Sequence, residues 1–120
     1  MSPLVLHIAS RSDWQSSASQ RSYRCLSLLD EGFIHCSTSE QLLIPANERF
    51  RGQQDLVLLC IDVSLLGSEL RYEDCYDSGV AFPHVYGPIE RDAVVAVLDF
   101  VPGEDGCFQL PESLKDGGAC

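Results

Sequence analysis

Three histidines are the residues of this 120-residue chain with the widest capacity for chemistry near neutral pH. Imidazole titrates at roughly pH 5–8, so it can act as an acid, a base or a metal ligand. His7, His35 and His84 each lie beside apolar residues in segments typical of strands or turns. For any one of them, a hydrogen-bonded core histidine is the simplest explanation. Three in one short chain favour a shared cleft.

The segment around His35 carries further polar groups. In a strand, His35 and Ser37 share one face, whereas Cys36 faces the other side and cannot readily pair with His35 as a nucleophile. Ser37 and Thr38 also begin a predicted helix, whose free amides favour a carboxylate or phosphate. A capping role for Ser37 is the alternative. Glu73, at the end of a short strand, is the carboxylate best placed to approach the cleft.

Other kinds of site lack support in the sequence. Three imidazoles and a water can form a catalytic zinc site, but no His-x-x-x-His or paired-ligand spacing accompanies them, so we predict no metal. The chain has no phosphate-binding glycine loop, dinucleotide fingerprint, Gly-x-Ser-x-Gly elbow or Cys-x-x-Cys pair. Several common enzyme classes are therefore not expected.

The composition indicates an acidic globular protein. Of the residues, 45% are hydrophobic and 22% charged, and 18 acidic residues against 8 basic ones give a net charge of −10. Without a cluster of lysines and arginines to neutralise phosphates, we expect no DNA partner and no RNA partner. The sequence shows no basic leader and no apolar run of about 18 residues, so we expect no membrane segment and a cytoplasmic location. Six cysteines without a secretory signal are expected to be reduced thiols.

Hydrophobic periodicity predicts one α+β domain over residues 1–111, followed by a flexible tail over 112–120. Strands are predicted at 4–9, 33–37, 55–63, 70–73, 93–101 and 107–110. Helices are predicted at 12–20, 27–31 and 37–51, the last one kinked or broken at Pro45. Residues 82–88 are predicted to form a stiff loop that carries His84, and 103–106 a turn that pairs the last two strands. Such a pattern favours a mostly antiparallel sheet.

Two long motifs resemble those of a known family. Residues 32–38 read GFIHCST and residues 82–89 read FPHVYGPI, with EQ at 40–41, AN at 46–47 and His7 in the first strand. On these motifs the chain resembles the domain of unknown function 952 family, from Leu4 to Pro111. Pro45 and the last residues depart from the pattern without touching the motifs.

That resemblance implies an ADP-ribosyltransferase-like fold, a split and mostly antiparallel sheet that also carries the RNA 2′-phosphotransferases. Proteins of this fold bind NAD in a cleft with a histidine or arginine of the first strand, a polar residue of the second and often a later glutamate. His7, the His35/Ser37 pair and Glu73 fall in corresponding places. The acidic composition disfavours the RNA version.

We therefore expect a protein that binds a small molecule, with NAD as a candidate cofactor and an NAD-using transfer as a candidate reaction. Histidine and serine would fix the ligand, and a carboxylate would stabilise the cationic centre left by nicotinamide. The catalytic candidates are His35, Glu73 and His84, and the cofactor-binding candidates are His7, Ser37, Thr38 and Tyr86. The alternative is a noncatalytic binding or interaction module in which the histidines form a buried polar network. The sequence indicates no oligomeric state.

Overall fold

A computed structural model describes residues 4–74, 77 and 79–115 of the chain, without the side chains of residues 113 and 115. It contains eight strands and four short helices in this part. In chain order they are β1 Leu4–Ser10, α1 Arg11–Ser16, β2 Ser22–Tyr23, α2 Leu26–Glu31, β3 Ile34–His35, α3 Leu43–Arg49, β4 Leu56–Asp62, β5 Glu69–Glu73, β6 Phe82–Tyr86, β7 Ile89–Glu90, β8 Val94–Phe100 and α4 Glu112–Lys115. Short 3-10 turns occupy Ser17–Ser19, Val63–Leu65 and Arg91–Ala93.

The first sheet is built on β4, whose apolar sequence predicted a central strand. It lies between β1 and β8 and pairs antiparallel with both. Alternate residues of β4 enter two different cores: Val57, Leu59 and Ile61 on one face, and 56, 58 and 60 on the other. A strand covered on both faces needs apolar side chains at successive positions, which explains the unbroken run. The prediction of a buried central strand is confirmed.

A second sheet has the order β3–β6–β5 and is also antiparallel. Its register places His35 directly opposite His84. Beyond β3 the chain crosses to the first sheet, where the amide and carbonyl of Ser37 exchange two hydrogen bonds of 2.7 Å with Leu6 of β1. A small pair, β2 with β7, completes the antiparallel arrangement. The α+β class with antiparallel sheets is confirmed.

The helix predicted over 37–51 is wrong in length. The amide of Ser37 donates to Leu6, so it is not available for capping, and residues 38–42 form turns. Helix α3 begins only at Leu43, which puts Pro45 in its first turn. An N–H in the first turn has no partner within the helix, so a proline fits there without a kink.

Two predictions about the later strands are also wrong. Residues 82–86 form the central strand β6 of the second sheet, not a stiff loop. Pro83 is tolerated there, and its carbonyl accepts a hydrogen bond from Cys36. Residues 107–110 do not pair with β8 as a hairpin, because Phe108 turns inward to stack on Phe100 and its amide donates to the Asn47 side chain at 2.6 Å.

In the predicted tail, residues 112–115 form the helical turn α4, and Leu114 packs against the core that contains Phe100; residues 116–120 lie outside the described part. No helix in the described residues is long and apolar enough to cross a membrane.

Gly32 ends helix α2, as predicted, and directs the chain into β3. Its φ is 88°, in the left-handed region, and its amide donates to Leu28. A Cβ built at this position would meet nothing within 4 Å. The requirement for glycine is therefore conformational, not steric.

We expect Gly32→Ala to lower the free energy of unfolding by about 1–2 kcal/mol, the cost of the left-handed conformation for an ordinary residue. Gly32→Asn should lose less, because asparagine tolerates this region. Urea unfolding of the two variants and the parent protein measures both values. Equal losses for alanine and asparagine would contradict the conformational explanation.

Candidate functional site

A cavity of about 530 Å³ lies where β1, β3 and α3 meet. All three histidines border it, His7 from β1, His35 from β3 and His84 from β6. Its other walls come from residues 6–10, 25–27, 36, 37, 44, 45, 48–50, 53, 56 and 82, together with Asp13 and Tyr23. The structure therefore brings the three histidine segments to one cleft.

His7 is held on both sides of its ring. Its Nδ1–H donates to the carbonyl of His35 at 2.6 Å, and its Nε2 accepts from the hydroxyl of Tyr23 at 3.0 Å. Burial lowers the pKa of His7, with the hydrogen bond to His35 opposing the shift only in part. Burial also raises the pKa of Tyr23, so its hydroxyl keeps the proton that it donates. A neutral His7 thus joins β1, β2 and β3.

His35 is the most exposed of the three histidines, with 26% of its side chain accessible. Its Nε2–H donates to the carboxylate of Glu31 in helix α2 at 3.2 Å. Burial lowers its pKa, the contact with Glu31 raises it, and the charges of Arg49 and His84 lower it further. Glu31 and Arg49 are absent from the sequence-based prediction, since neither lies in a recognisable motif.

His84 lies almost wholly buried between the cavity and a carboxylate. Its Nδ1–H donates to Oε1 of Glu73 at 2.9 Å, and the hydroxyl of Tyr86 donates to the same oxygen at 2.5 Å. These two hydrogen bonds, that of Tyr86 first, lower the pKa of Glu73. A carboxylate on Nδ1 fixes the tautomer of an imidazole and compensates the charge that the ring gains with a second proton. Glu73 therefore orients His84.

Aromatic contacts fix the positions of the two facing histidines. The ring of Phe33 stacks on His84 with centroids 4.2 Å apart, and contacts His35 edge-on at 4.9 Å. The two imidazoles are themselves 5.3 Å apart, at 81° to each other. On the far side, the guanidinium of Arg71 lies over the ring of Tyr86 at 4.6 Å. Each of these imidazoles therefore contacts both Phe33 and the other imidazole.

The remaining predicted site residues divide between the cavity and its surroundings. Ser37 lines the cavity, but its backbone belongs to the bridge with Leu6, and no helix begins at this residue. The helix terminus predicted beside Ser37 is therefore wrong, and the anion site predicted there loses the free amides on which it was based. Thr38, Glu73 and Tyr86 do not line the cavity, so Glu73 and Tyr86 act on it only through His84.

Cysteines and metals add little to the site. Cys25, Cys36, Cys60 and Cys107 carry free thiols, and the other two cysteines lie outside the described residues. Burial raises the pKa of Cys36, which opposes a reactive thiolate there. Among the residues that the structure describes, no group of three or more His, Cys, Asp or Glu side chains is placed to hold a metal ion.

The partners of His7 predict its titration. A folded-state pKa below the ordinary 6.5 means that the unfolded chain binds more protons, so stability rises with pH between the folded pKa and about 6.5. At about pH 6 we expect the long-range ¹H–¹⁵N spectrum to show His7 as the neutral Nδ1–H tautomer. Urea unfolding should give a smaller pH slope for His7→Asn. A protonated His7 at this pH would contradict the arrangement.

Tyr86 predicts the titration of Glu73. Without the hydroxyl, Tyr86→Phe should raise the pKa of Glu73 toward its ordinary 4.5, because a donor to the ionised form is lost. The stability lost as pH falls below about 4.5 should then be smaller than in the parent protein. Carboxyl ¹³C shifts followed against pH measure the pKa. Tyr72→Phe on the same sheet is the control, and an equal shift there would refute the assignment.

Comparison with known proteins adds a family to this geometry. The chain is similar to the protein CC0527 from Caulobacter crescentus, whose crystal structure matches with a TM-score of 0.83 and 36% identity, over 92% of this chain and 97% of that one. The solution NMR structure of CC0527 matches with a TM-score of 0.79 and 35% identity, over 93% and 97% of the two chains. No curated protein matches the sequence.

The sequence profile of the family described as "Protein of unknown function (DUF952)" matches residues 8–97. This range contains β3 and β6, with His35 and His84, and the last three residues of β1. The match covers three quarters of the 120 residues. The chain therefore belongs to the DUF952 family.

Proposed function

We propose that this protein binds a small molecule in the cavity between β1, β3 and α3. The observation that carries the proposal is the convergence of His7, His35 and His84 on one cleft of about 530 Å³. Ligand sites in proteins are mostly apolar clefts of roughly 300–1,000 Å³ with a few convergent polar groups. A buried polar network that served only stability would not need such a cleft.

The walls indicate the shape of a suitable ligand. Apolar side chains of Ile8, Ile44, Pro45, Phe50 and Leu56 border the cavity. His35 and His84, which contact each other, supply a polar corner. A ligand with an apolar or planar body and one polar end matches this distribution, since polar groups that lose water on binding need partners.

The two facing histidines also support a catalytic role. Each has a carboxylate partner outside the cavity, Glu31 for His35 and Glu73 for His84. A histidine oriented in this way is suited to take up or deliver a proton. We therefore propose His35 and His84 as the residues that touch the ligand, with Glu73 and Tyr86 as positioning residues. In this assignment His7 has a structural role, because its hydrogen bonds join β1 to β2 and β3.

NAD stays a candidate ligand through the resemblance to the ADP-ribosyltransferase-like fold. In its favour, His7 lies in the first strand, and the strand that carries His35 joins it edge to edge through Ser37. One feature changes the proposed chemistry: Glu73 lies behind His84 and does not border the cavity. Glu73 is therefore not placed to face a cationic centre left by nicotinamide in this cavity.

A noncatalytic binding module is the second candidate, and one observation favours it. Both ring nitrogens of His7 are engaged within the fold, with the His35 carbonyl and the Tyr23 hydroxyl. This histidine thus serves the structure. If His35 and His84 served only the structure too, the cavity would bind no metabolite.

Thermal-shift and calorimetric titrations separate these possibilities. A ligand that binds only the native state raises its stability by about 2.7 kcal/mol at one hundred times Kd. We expect such a shift with NAD, ADP-ribose or nicotinamide, reduced in His35→Ala and unchanged in Leu65→Ala, which alters an exposed residue outside the cavity lining. No shift with any of the three would remove NAD. If a wider set of metabolites also fails to shift the melting temperature, the noncatalytic interaction module is the remaining candidate.

A further inference from the structure

Three groups that can carry positive charge line the cavity, and the charges of two of them act on the third. His35 and His84 face each other across the β3–β6 pair, with ring centroids 5.3 Å apart. Arg49, in the last turn of α3, lines the same cavity. We call His35, His84 and Arg49 the basic corner. Its members come from three elements, so the corner is assembled by the fold and not by one sequence motif.

The electrostatics of the basic corner favours a bound anion. The charges of Arg49 and His84 both disfavour the imidazolium form of His35, because like charges repel at short range. An anion placed among the three would reverse that effect and gain from each of them. Sites in clefts are where such fields act most strongly, since low-dielectric walls focus them.

We propose that the basic corner holds an oxyanion of the ligand, a carboxylate or a phosphate, while the apolar walls hold its body. This inference rests on the proposed small-molecule function and names its ligand class. The basic corner borders the same cavity as Ser37, beside which the sequence predicted an anion site. The ligand class is thus a small organic acid or phosphate ester.

The surrounding acids are compatible with this assignment. Glu31 and Glu73 bind His35 and His84 from outside the cavity, through Nε2 and Nδ1 respectively. Glu48 and Asp13 border the cavity as well, and Asp13 exerts its charge on His7 and Tyr23. The acidic influence of Asp13 therefore falls on the His7–Tyr23 end.

Inorganic phosphate and acetate, each titrated into the full chain, are the probes, with sodium chloride at matched ionic strength as the reference. The imidazole resonances of His35 and His84 are followed by NMR between about pH 6 and 7.5, where histidine titrates. We expect a saturable shift of both and a rise in the pKa of His35, because a bound anion favours its charged form. The probe that binds with the lower Kd shows whether the corner prefers a phosphate or a carboxylate.

The variant Arg49→Gln tests the corner, and Arg51→Gln is its matched control. Both arginines are exposed, so each variant should fold, but only Arg49 lines the cavity. We expect the anion Kd to rise at least about tenfold in Arg49→Gln, as for loss of a hydrogen bond to a charged group, and less than twofold in Arg51→Gln. Equal weakening in both would show bulk electrostatics and overturn the proposal.

Absence of a saturable shift with both anions would overturn the inference as well. The proposed function is tested separately, because nicotinamide is uncharged and needs no oxyanion site. A thermal shift with nicotinamide and none with phosphate or acetate would refute the basic corner while leaving the small-molecule function intact.

Discussion

Two backbone hydrogen bonds between Leu6 and Ser37 are the connection on which the site depends. They join an edge of the β1–β4–β8 sheet to the chain that leaves β3. The side chain of His7 reinforces the joint one residue further on, by donating to the His35 carbonyl. The cavity lies beside this joint, since both Leu6 and Ser37 line it together with residues of α3.

The three histidines show how one residue type takes different roles through its partners. His7 is buried with both nitrogens engaged, so neutrality is its stable state. His35 is partly exposed, with a carboxylate on one nitrogen. His84 is buried, but its carboxylate partner is also held by Tyr86. The second and third each contact a carboxylate that lies outside the cavity lining.

The sequence predicted the elements that depend on local pattern. The apolar run of β4 required two covered faces, and Gly32 ended α2 through its backbone conformation. The sequence also predicted that His35 and His84 share a cleft, although it placed His84 on a loop and the structure places it on strand β6. What failed depended on distant partners: residues 82–86 became a central strand because β3 and β5 pair with it on both sides. Periodicity within a segment carries no information about such partners.

Arg49 and Glu31 could not be identified from sequence for the same reason. Each is a charged residue on a short helix, which usually signifies a solvated face. They matter to the site only because the charge of Arg49 acts on His35 and Glu31 binds His35. Motifs therefore located the strands that carry the site, whereas the groups that set its charge came from α2 and α3.

The net charge of −10 opposes an anionic ligand only if charge is averaged over the molecule. At physiological ionic strength, exposed charges are largely screened beyond about 8 Å. A ligand inside the cavity therefore experiences mainly the charged groups that line it, the basic corner together with Glu48 and Asp13, whereas one approaching from solvent experiences the acidic surface. Such a surface slows the entry of anions, and more so for those of higher charge. It also disfavours polyanions such as nucleic acid, so the same protein can reject RNA and still hold a single carboxylate or phosphate.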